Sequence, residues 1–352
     1  MYGFTVQNRK AELAGFPKED SFAYDAKRKI ACVADGITRD FLDGSVVTRD
    51  FKGLIKVLLG KYPKYAQKAS QLCVKNFLET KSLEESNKAI GNYNSSTFKE
   101  IDYLANDFAG CTAAGFWEED GFLNWQFICD SGIAVVDSKG ILRFRTPDEG
   151  PHSKEKLPHL EQILNQHGGF NSQEGRKIIR NQYRNNPEQE FAYGALTGEE
   201  TAIPYVRKGV YTPTYTPFYT YPAPKPERLR EGDYVLAFTD GMADIIFNKN
   251  PRVISRHERT PRLNIDGVPV PPNEPLIIPP VNESFFRYLN QGDPSELKKF
   301  CKERIRSEGT LVVYKKPTKY SPPTHHQRAL LKRQREYFEQ DFFGPNVVID
   351  DY

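Results

Sequence analysis

The chain has 352 residues, of which 49 are basic and 46 acidic, for a formal net charge of +3; 38% are hydrophobic. That balance leaves no electrostatic footprint for nucleic acid, and the apolar share can bury a substantial core, so wholesale disorder is excluded. No run reaches the ~18–20 apolar residues of a membrane span, the first residues lack a secretory core, and the five scattered cysteines form no CxxC pair. The expectation is a cytoplasmic monomer in a reducing compartment, with neither membrane nor nucleic-acid partners.

In chain order, Ser21–Tyr24 and Lys29–Ala34 predict a hairpin, with Asp35 and Gly36 ending the second strand. From 46 to 91 the period is helical. Phe51, Leu54, Ile55, Leu58 and Leu59 precede Pro63, then Ala66, Ala69, Leu72, Cys73 and Phe77 form a second stripe. Leu83–Ile90 predicts a third short helix. All three stripes read as core packing. Strands follow at Cys111–Trp117, Phe122–Cys129, Gly132–Val136 and Ile141–Phe144, joined by tight turns, which indicates an antiparallel meander. Residues 154–186 return to a helical pattern. Strands are predicted again at Tyr205–Val210 and Tyr234–Phe238, helices at Phe285–Leu289 and Leu297–Ile305, and a last strand at Thr310–Tyr314. Strands and helices in blocks predict an α+β fold, not βαβ alternation.

Two inserts are rich in proline, at 211–226 and 251–280, and cannot sit inside a sheet. Both read as surface loops. The Tyr/Pro interleaving of the first could offer a face to a protein partner, a passive insertion being the plainer reading. The tail, 317–352, carries Lys332, Arg333 and Arg335 beside Leu330 and Leu331, a pattern for an amphipathic helix.

The chemistry lies in carboxylates at strand ends. Glu19 and Asp20 open the first strand, Asp35-Gly36 ends the second, Asp130 breaks a third, and Asp240 with Asp244 follows Tyr234–Phe238. A single Asp-Gly is an ordinary turn. Four acidic breaks at the ends of apolar strands suggest convergence, and converging carboxylates repel unless a cation neutralises them. Oxygen donors of this kind suit Mg²⁺ or Mn²⁺, and two such ions can activate water toward a phosphate ester.

The order of these pieces resembles the metal-dependent type 2C serine/threonine protein phosphatases, the PPM family. The matching segments are Lys18-Glu19-Asp20-Ser21, Val33-Ala34-Asp35-Gly36, Gly110-Cys111-Thr112-Ala113, Ile128-Cys129-Asp130-Ser131, Phe238-Thr239-Asp240-Gly241-Met242 and Gly309-Thr310-Leu311-Val312-Val313. Tyr193–Gly198 is similar to the segment before the late strands in bacterial members. The resemblance spans about 1–316, which implies one domain over 1–316 followed by a tail at 317–352. It implies an antiparallel β-sandwich flanked by pairs of antiparallel helices. It also implies hydrolysis of phosphoserine or phosphothreonine in a phosphoprotein by a metal-bridging water, without a phosphoenzyme. Asp35 would bridge two Mn²⁺ or Mg²⁺ ions, the Gly36 carbonyl would complete one site, and Asp240 would hold the second ion. Glu19 would hold metal-bound water, Asp20 would stand nearby as ligand or support, and Asp130 and Asp244 would suit a weaker third ion.

Three positions depart from the family pattern. Ser307 stands where the late metal-binding Asp belongs, and Glu308 could reach the metal in its place. Ile37-Thr38-Arg39-Asp40 replaces a Gly-Gly, so Arg39 is a phosphate candidate. Gly15 replaces an Arg, leaving Lys18 or Arg9 to clamp phosphate. These departures motivate an alternative reading, a phosphatase-fold scaffold that binds a phosphoprotein without turnover. Hydrolysis of a small phosphoester is a third. None of the six histidines falls in the acidic motifs, and Cys111 lies in a strand motif that reads as core.

Overall fold

The computed structural model describes residues 1–13, 15, 17–37, 64–101, 108–169, 172–213, 225–247, 252–254, 276–278 and 281–318. The chain forms two compact units, Met1–Lys316 and Pro317–Tyr352. Only Pro317 and Thr318 of the second are described, so the basic stretch at 332–335 lies outside the described residues. So do the predicted helix around Phe51–Leu59, Arg39 and most of both proline-rich inserts.

The elements are β1 (Tyr2–Gln7), α1 (Arg9–Leu13), β2 (Ser21–Asp25), β3 (Ile30–Gly36), α2 (Tyr65–Thr80), α3 (Leu83–Thr97), β4 (Cys111–Glu119), β5 (Phe122–Ile128), β6 (Gly132–Val136) and β7 (Leu142–Arg145). They continue with α4 (Leu157–Asn165), α5 (Gln173–Ile178), β8 (Arg207–Val210), β9 (Tyr234–Phe238), α6 (Asp240–Ile246), β10 (Arg252–Ile254), β11 (Leu276–Ile278), α7 (Glu283–Gln291), α8 (Pro294–Lys302) and β12 (Glu308–Lys315). Two five-stranded antiparallel sheets run in the orders β1-β12-β9-β6-β7 and β2-β3-β4-β5-β8, and β10-β11 form a separate hairpin.

Period-two patterning places the core. Along β3, Ala31 and Val33 point between the sheets, where they meet Val135 of β6, Ala237 of β9 and Val312 of β12. Ile30, Cys32 and Ala34 alternate with them on the outer face and pack on Ala69, Cys73 and Phe77 of α2 and Ile90 of α3. The outer face of the other sheet does the same against Met242 of α6, Phe285 and Leu289 of α7, and Leu297 and Phe300 of α8. The first unit is therefore an α+β sandwich with helices on both outer faces, and its central strands β3, β6 and β9 are buried on two sides.

Local signals explain the element ends. Ser82 caps α3, its hydroxyl accepting the Glu85 N–H at 3.2 Å. Asp293 caps α8 in the same way, accepting from Ser295 N at 2.8 Å, with Pro294 at the first helical position. Several elements differ from the sequence expectation. β1 and α1 were not anticipated; the short strand gains its place only by pairing with β12, Tyr2 to Val313 through Gln7 to Glu308. β3 does not stop before Asp35, because Asp35 and Gly36 stay in register with Thr112 and Cys111. Residues 154–186 hold α4, α5 and a π-helical turn at Ile179–Tyr183, and Glu200–Tyr205 is a 3₁₀ turn ahead of β8. Asp240 begins a helix where a turn was expected. Among the described residues no helix is long and apolar enough to cross a membrane.

Candidate active site

The acidic residues converge because of strand polarity. β3 ends at Asp35-Gly36 opposite the start of β4, and the start of β2 lies alongside, with Ser21 paired to Ala34. That sets Glu19 and Asp20 next to Asp35. In the other sheet, Phe238 at the end of β9 pairs with Leu311 near the start of β12 and with Gly132 at the start of β6. Cys129, Asp130 and Ser131 link β5 to β6 and so bring the same ends of the two sheets together. One end of the sandwich thus gathers Glu19-Asp20, Asp35, Asp130, Asp240 and Glu308.

Two glycines allow this closeness. A Cβ on Gly36 would lie 2.6 Å from the carbonyl oxygen of Ala66, so only glycine lets the end of β3 rest on the α2 backbone. A Cβ on Gly241 would collide with the Glu308 carbonyl, so α6 can begin against β12 only with glycine there.

Hydrogen bonds fix the acids in place. The Thr239 hydroxyl donates to Asp20 Oδ2 at 2.7 Å and accepts the Thr310 N–H at 2.9 Å. Thr310 Oγ1 meets Thr5 Oγ1 at 2.7 Å. The Glu308 carboxylate accepts the backbone N–H of Glu19 at 3.0 Å and of Asp20 at 3.4 Å. Ser70 of α2 donates to the Glu19 carbonyl. Thr112 and Ser131 hydroxyls meet at 3.0 Å beside Asp130, whose Oδ1 is buried without a hydrogen-bond partner.

The electrostatics follow from burial and like charge. Burial pushes the Asp35 carboxyl well above the carboxylate range, and Asp20, Asp240 and Asp130 push it further. Asp130 is raised to about 7, by burial and then by Asp240 and Asp148. Asp20 rises to about 6 through burial, with the Thr239 hydroxyl pulling back. Asp240 is raised too, first by the protein atoms crowding it even though the residue reaches solvent, while its hydrogen bond to the Gly241 N–H opposes the rise. Glu308 is pushed up to about 8 by burial and by Asp20, against the two N–H groups it accepts.

Asp148 was not anticipated from the sequence. It lies just past β7, accepts the Gly150 N–H at 2.9 Å, and raises both Asp130 and Asp240. A Cβ built on Gly150 would have Asp130 Oδ2 at 3.1 Å and Asp148 Oδ1 at 3.2 Å, which sets both carboxylates beside that glycine. The available signal was one more acidic turn, Asp148-Glu149-Gly150, after a short strand. His152 in the same loop lowers Asp240 electrostatically.

The other candidates stand apart. Asp244, one turn along α6, is exposed and lies 3.9 Å from Arg306 Nη1. Lys18 is exposed beside Glu19. Ser307 is exposed, with its hydroxyl toward the Glu308 carbonyl at 3.4 Å. Arg39 lies outside the described residues. Cys111 is fully buried against α2, as a core residue.

Among the described residues, no group of three or more His, Cys, Asp or Glu side chains is drawn together as a ready metal cage. The donor chemistry nevertheless suits a hard divalent cation. The donors are oxygens, one Asp130 oxygen lacks any partner, and the carboxyls raise one another's affinity for a positive charge.

No protein-family model matches the sequence, and no curated protein matches it. Solved structures similar to the chain are PPM-type serine/threonine phosphatases. The Mycobacterium tuberculosis serine/threonine phosphatase PstP/Ppp is 15% identical over 90% of this chain and 98% of that one, with a TM-score of 0.47. The S. agalactiae serine/threonine phosphatase is 14% identical over 90% and 100%, with a TM-score of 0.44. The PPM Ser-Thr phosphatase MsPP from Mycobacterium smegmatis, in complex with cacodylate, is 13% identical over 90% and 99%, with a TM-score of 0.43. At such identities and scores these likenesses assign no residue and no activity.

Proposed function

We propose that the chain is a protein-serine/threonine phosphatase that hydrolyses phosphoserine and phosphothreonine with the help of two Mn²⁺ or Mg²⁺ ions. The observation that carries this reading is the meeting of Asp20, Asp35, Asp130 and Asp240 at one end of the sandwich, where Asp20, Asp240 and Asp130 raise the Asp35 pKa and Asp240 raises those of Asp20 and Asp130. Such a set is unfavourable without a cation and suited to binding one. Asp35, the Gly36 carbonyl and Asp240 would hold the two ions, with Glu19 and Asp20 behind them and Asp130 toward a third. Bound there, the ions would neutralise charge on the phosphoryl group and lower the pKa of the water that attacks phosphorus directly, without a phosphoenzyme.

The chain's own groups account for the rest of the chemistry. Thr239 and Thr310 hold Asp20 in one orientation. Glu308, next to the Ser307 that stands where a late Asp belongs, clasps the Glu19-Asp20 backbone, and burial and Asp20 push its carboxyl up to about 8. Lys18 stands exposed at the edge of the site and would draw in the phosphate dianion. A cytoplasmic, monomeric signalling enzyme acting on a phosphoprotein follows from this reading.

The decisive assay is Mn²⁺-dependent turnover of a phosphothreonine peptide, with Asp35→Asn and Asp240→Asn expected to lose it. A wild-type chain that shows no metal-dependent turnover sinks the proposal. One observation favours a second reading. Ser307 is neutral, and both Glu308 oxygens are engaged by backbone N–H groups, which suits a scaffold that binds a phosphoprotein without turnover. Calorimetric titration with Mn²⁺ separates the two, because a scaffold takes up one ion or none. A sharp rise in activity in Ser307→Asp would identify this position as the limit on the native site.

A further inference from the structure

We propose that the surface formed by α1, Lys18 and α8 is a docking rim for an acidic segment of a protein substrate, the stretch flanking the phosphorylated residue. The word phosphorylated rests on the hydrolase reading above; the docking chemistry does not.

Hydrogen bonds tie this surface together and to the site. Asn8 accepts the Ala11 N–H at 2.8 Å and so starts the turn of α1. Its backbone N–H donates to the Ser307 carbonyl at 2.7 Å, and its side-chain amide donates to the Arg306 carbonyl. The next residue is Glu308, whose carboxylate holds Glu19 and Asp20. On the far side of α1, Glu12 Oε2 meets Lys302 Nζ at 2.7 Å. Lys302 holds the Glu12 carboxyl below its usual range, and Lys18 and Lys298 add to that field. Lys18, Lys298 and Lys302 therefore gather around Glu12, with Arg9 and Lys10 on the same exposed helix as Glu12 and Arg306 tied to Asn8 through its carbonyl.

The rim is built outward. α1 buries none of its residues, and Leu13 on it is 78% exposed. Lys298 and Lys302, four residues apart on α8, share its exposed face, while Leu297, Phe300 and Cys301 occupy the buried one. Four acids stand among the six bases: Glu12, Asp244, Glu296 and Glu303, of which Glu12 pairs with Lys302 at 2.7 Å and Asp244 lies 3.9 Å from Arg306. The excess is positive, beside a site whose own excess is negative. A phosphate dianion approaching bare carboxylates would be repelled, whereas a basic rim one residue from Glu19 and two from Glu308 supplies the attraction. Charge complementarity commits the occupant to an acidic peptide, and Leu13 gives it one apolar contact.

The test titrates the full-length chain with a fluorescent, non-phosphorylated peptide bearing a run of Asp and Glu, in about 20 mM and about 300 mM salt. Saturable binding is expected, weakened about tenfold by the higher salt and about tenfold by the double variant Lys10→Glu, Lys298→Glu. Circular dichroism checks folding, and Lys10→Ser, Lys298→Ser serves if charge reversal unfolds the chain. Absence of binding, equal affinity in a folded variant, or tighter binding of a DNA oligonucleotide of the same charge overturns the proposal. A second arm compares phosphothreonine peptides with acidic and neutral flanks, and the acidic preference in kcat/KM should vanish in the variant. Failure to turn over any phosphopeptide defeats the hydrolase reading alone, since the peptide titration still decides the rim.

Discussion

Asp20→Asn should stabilise the metal-free protein while weakening its response to metal. Asp20 is 6% exposed, and its carboxyl titrates at about 6 in the folded chain against 3.8 for the free group. A folded pKa above the unfolded one means that the carboxyl costs nothing below about pH 4. The cost grows as pH rises toward 6, then stays constant at about 3 kcal/mol. Asn removes that cost and keeps an oxygen to accept from Thr239. The variant should therefore gain about 1 kcal/mol at about pH 4.5 and about 3 kcal/mol at about pH 7.5. For a unit of 316 residues, an unfolding entropy of ~2.1 cal/mol/K per residue converts these gains to about 1–2 °C and about 4–5 °C in Tm. Thermal melts with a chelator at both pH values measure this. Adding Mn²⁺ should then raise the wild-type Tm more than the variant's, because an ion that binds only the folded state stabilises it by mass action. A variant that is less stable at the higher pH, or that gains equally at both, would refute the argument that Asp20 is held against its own charge.

Glu118→Ala should cost about 3 kcal/mol, because its carboxylate, 1% exposed, accepts Tyr314 OH at 2.6 Å and the ammonium groups of Lys29 and Lys316; denaturant unfolding measures it, and a loss under about 1 kcal/mol would mean that the cluster is replaced by solvent without penalty. Gly241→Ala should lower both Tm and Mn²⁺ affinity, since its Cβ is aimed at the Glu308 backbone; an unchanged Mn²⁺ isotherm would contradict that packing. Asp148→Asn should bring the Asp130 pKa down from about 7 in the metal-free chain, followed by carboxyl-carbon NMR, and should weaken Mn²⁺ binding about tenfold. An unmoved Asp130 titration would remove Asp148 from the site.

Strands buried on one or both faces were legible where the chain is short, apolar and bounded by turn residues. Tyr234–Phe238 matches β9 end to end, and Gly132–Val136 matches β6. β1 was not legible, because Tyr2–Gln7 has no strong run of its own and becomes a strand by lying on β12, some 300 residues away. The acidic breaks were visible as residues, but the reason they meet was not. It depends on which strand ends share an edge, and that is a property of topology. Asp148 was missed for the same reason, since its turn resembles any Asp-Glu-Gly turn until Gly150 sets it beside Asp130. Glu308 was weighed as a stretched ligand, and its grip on the Glu19 and Asp20 N–H groups has no signature in the local sequence.

The position of β12 between β1 and β9 has a bearing on how the protein is made. A ribosome delivers Asp20 about 15–60 s before Glu308 at ~5–20 residues per second. Until then the nascent sheet has an unfilled slot, with β1 and β9 each offering a bare edge to any passing strand. All four aspartates are already outside, yet the clasp over the Glu19-Asp20 backbone does not exist. Completion of the site therefore waits for β12 to leave the ribosome and pair with β1 and β9. A chain halted before Glu308 would carry all four aspartates and lack the carboxylate that clasps the Glu19-Asp20 backbone.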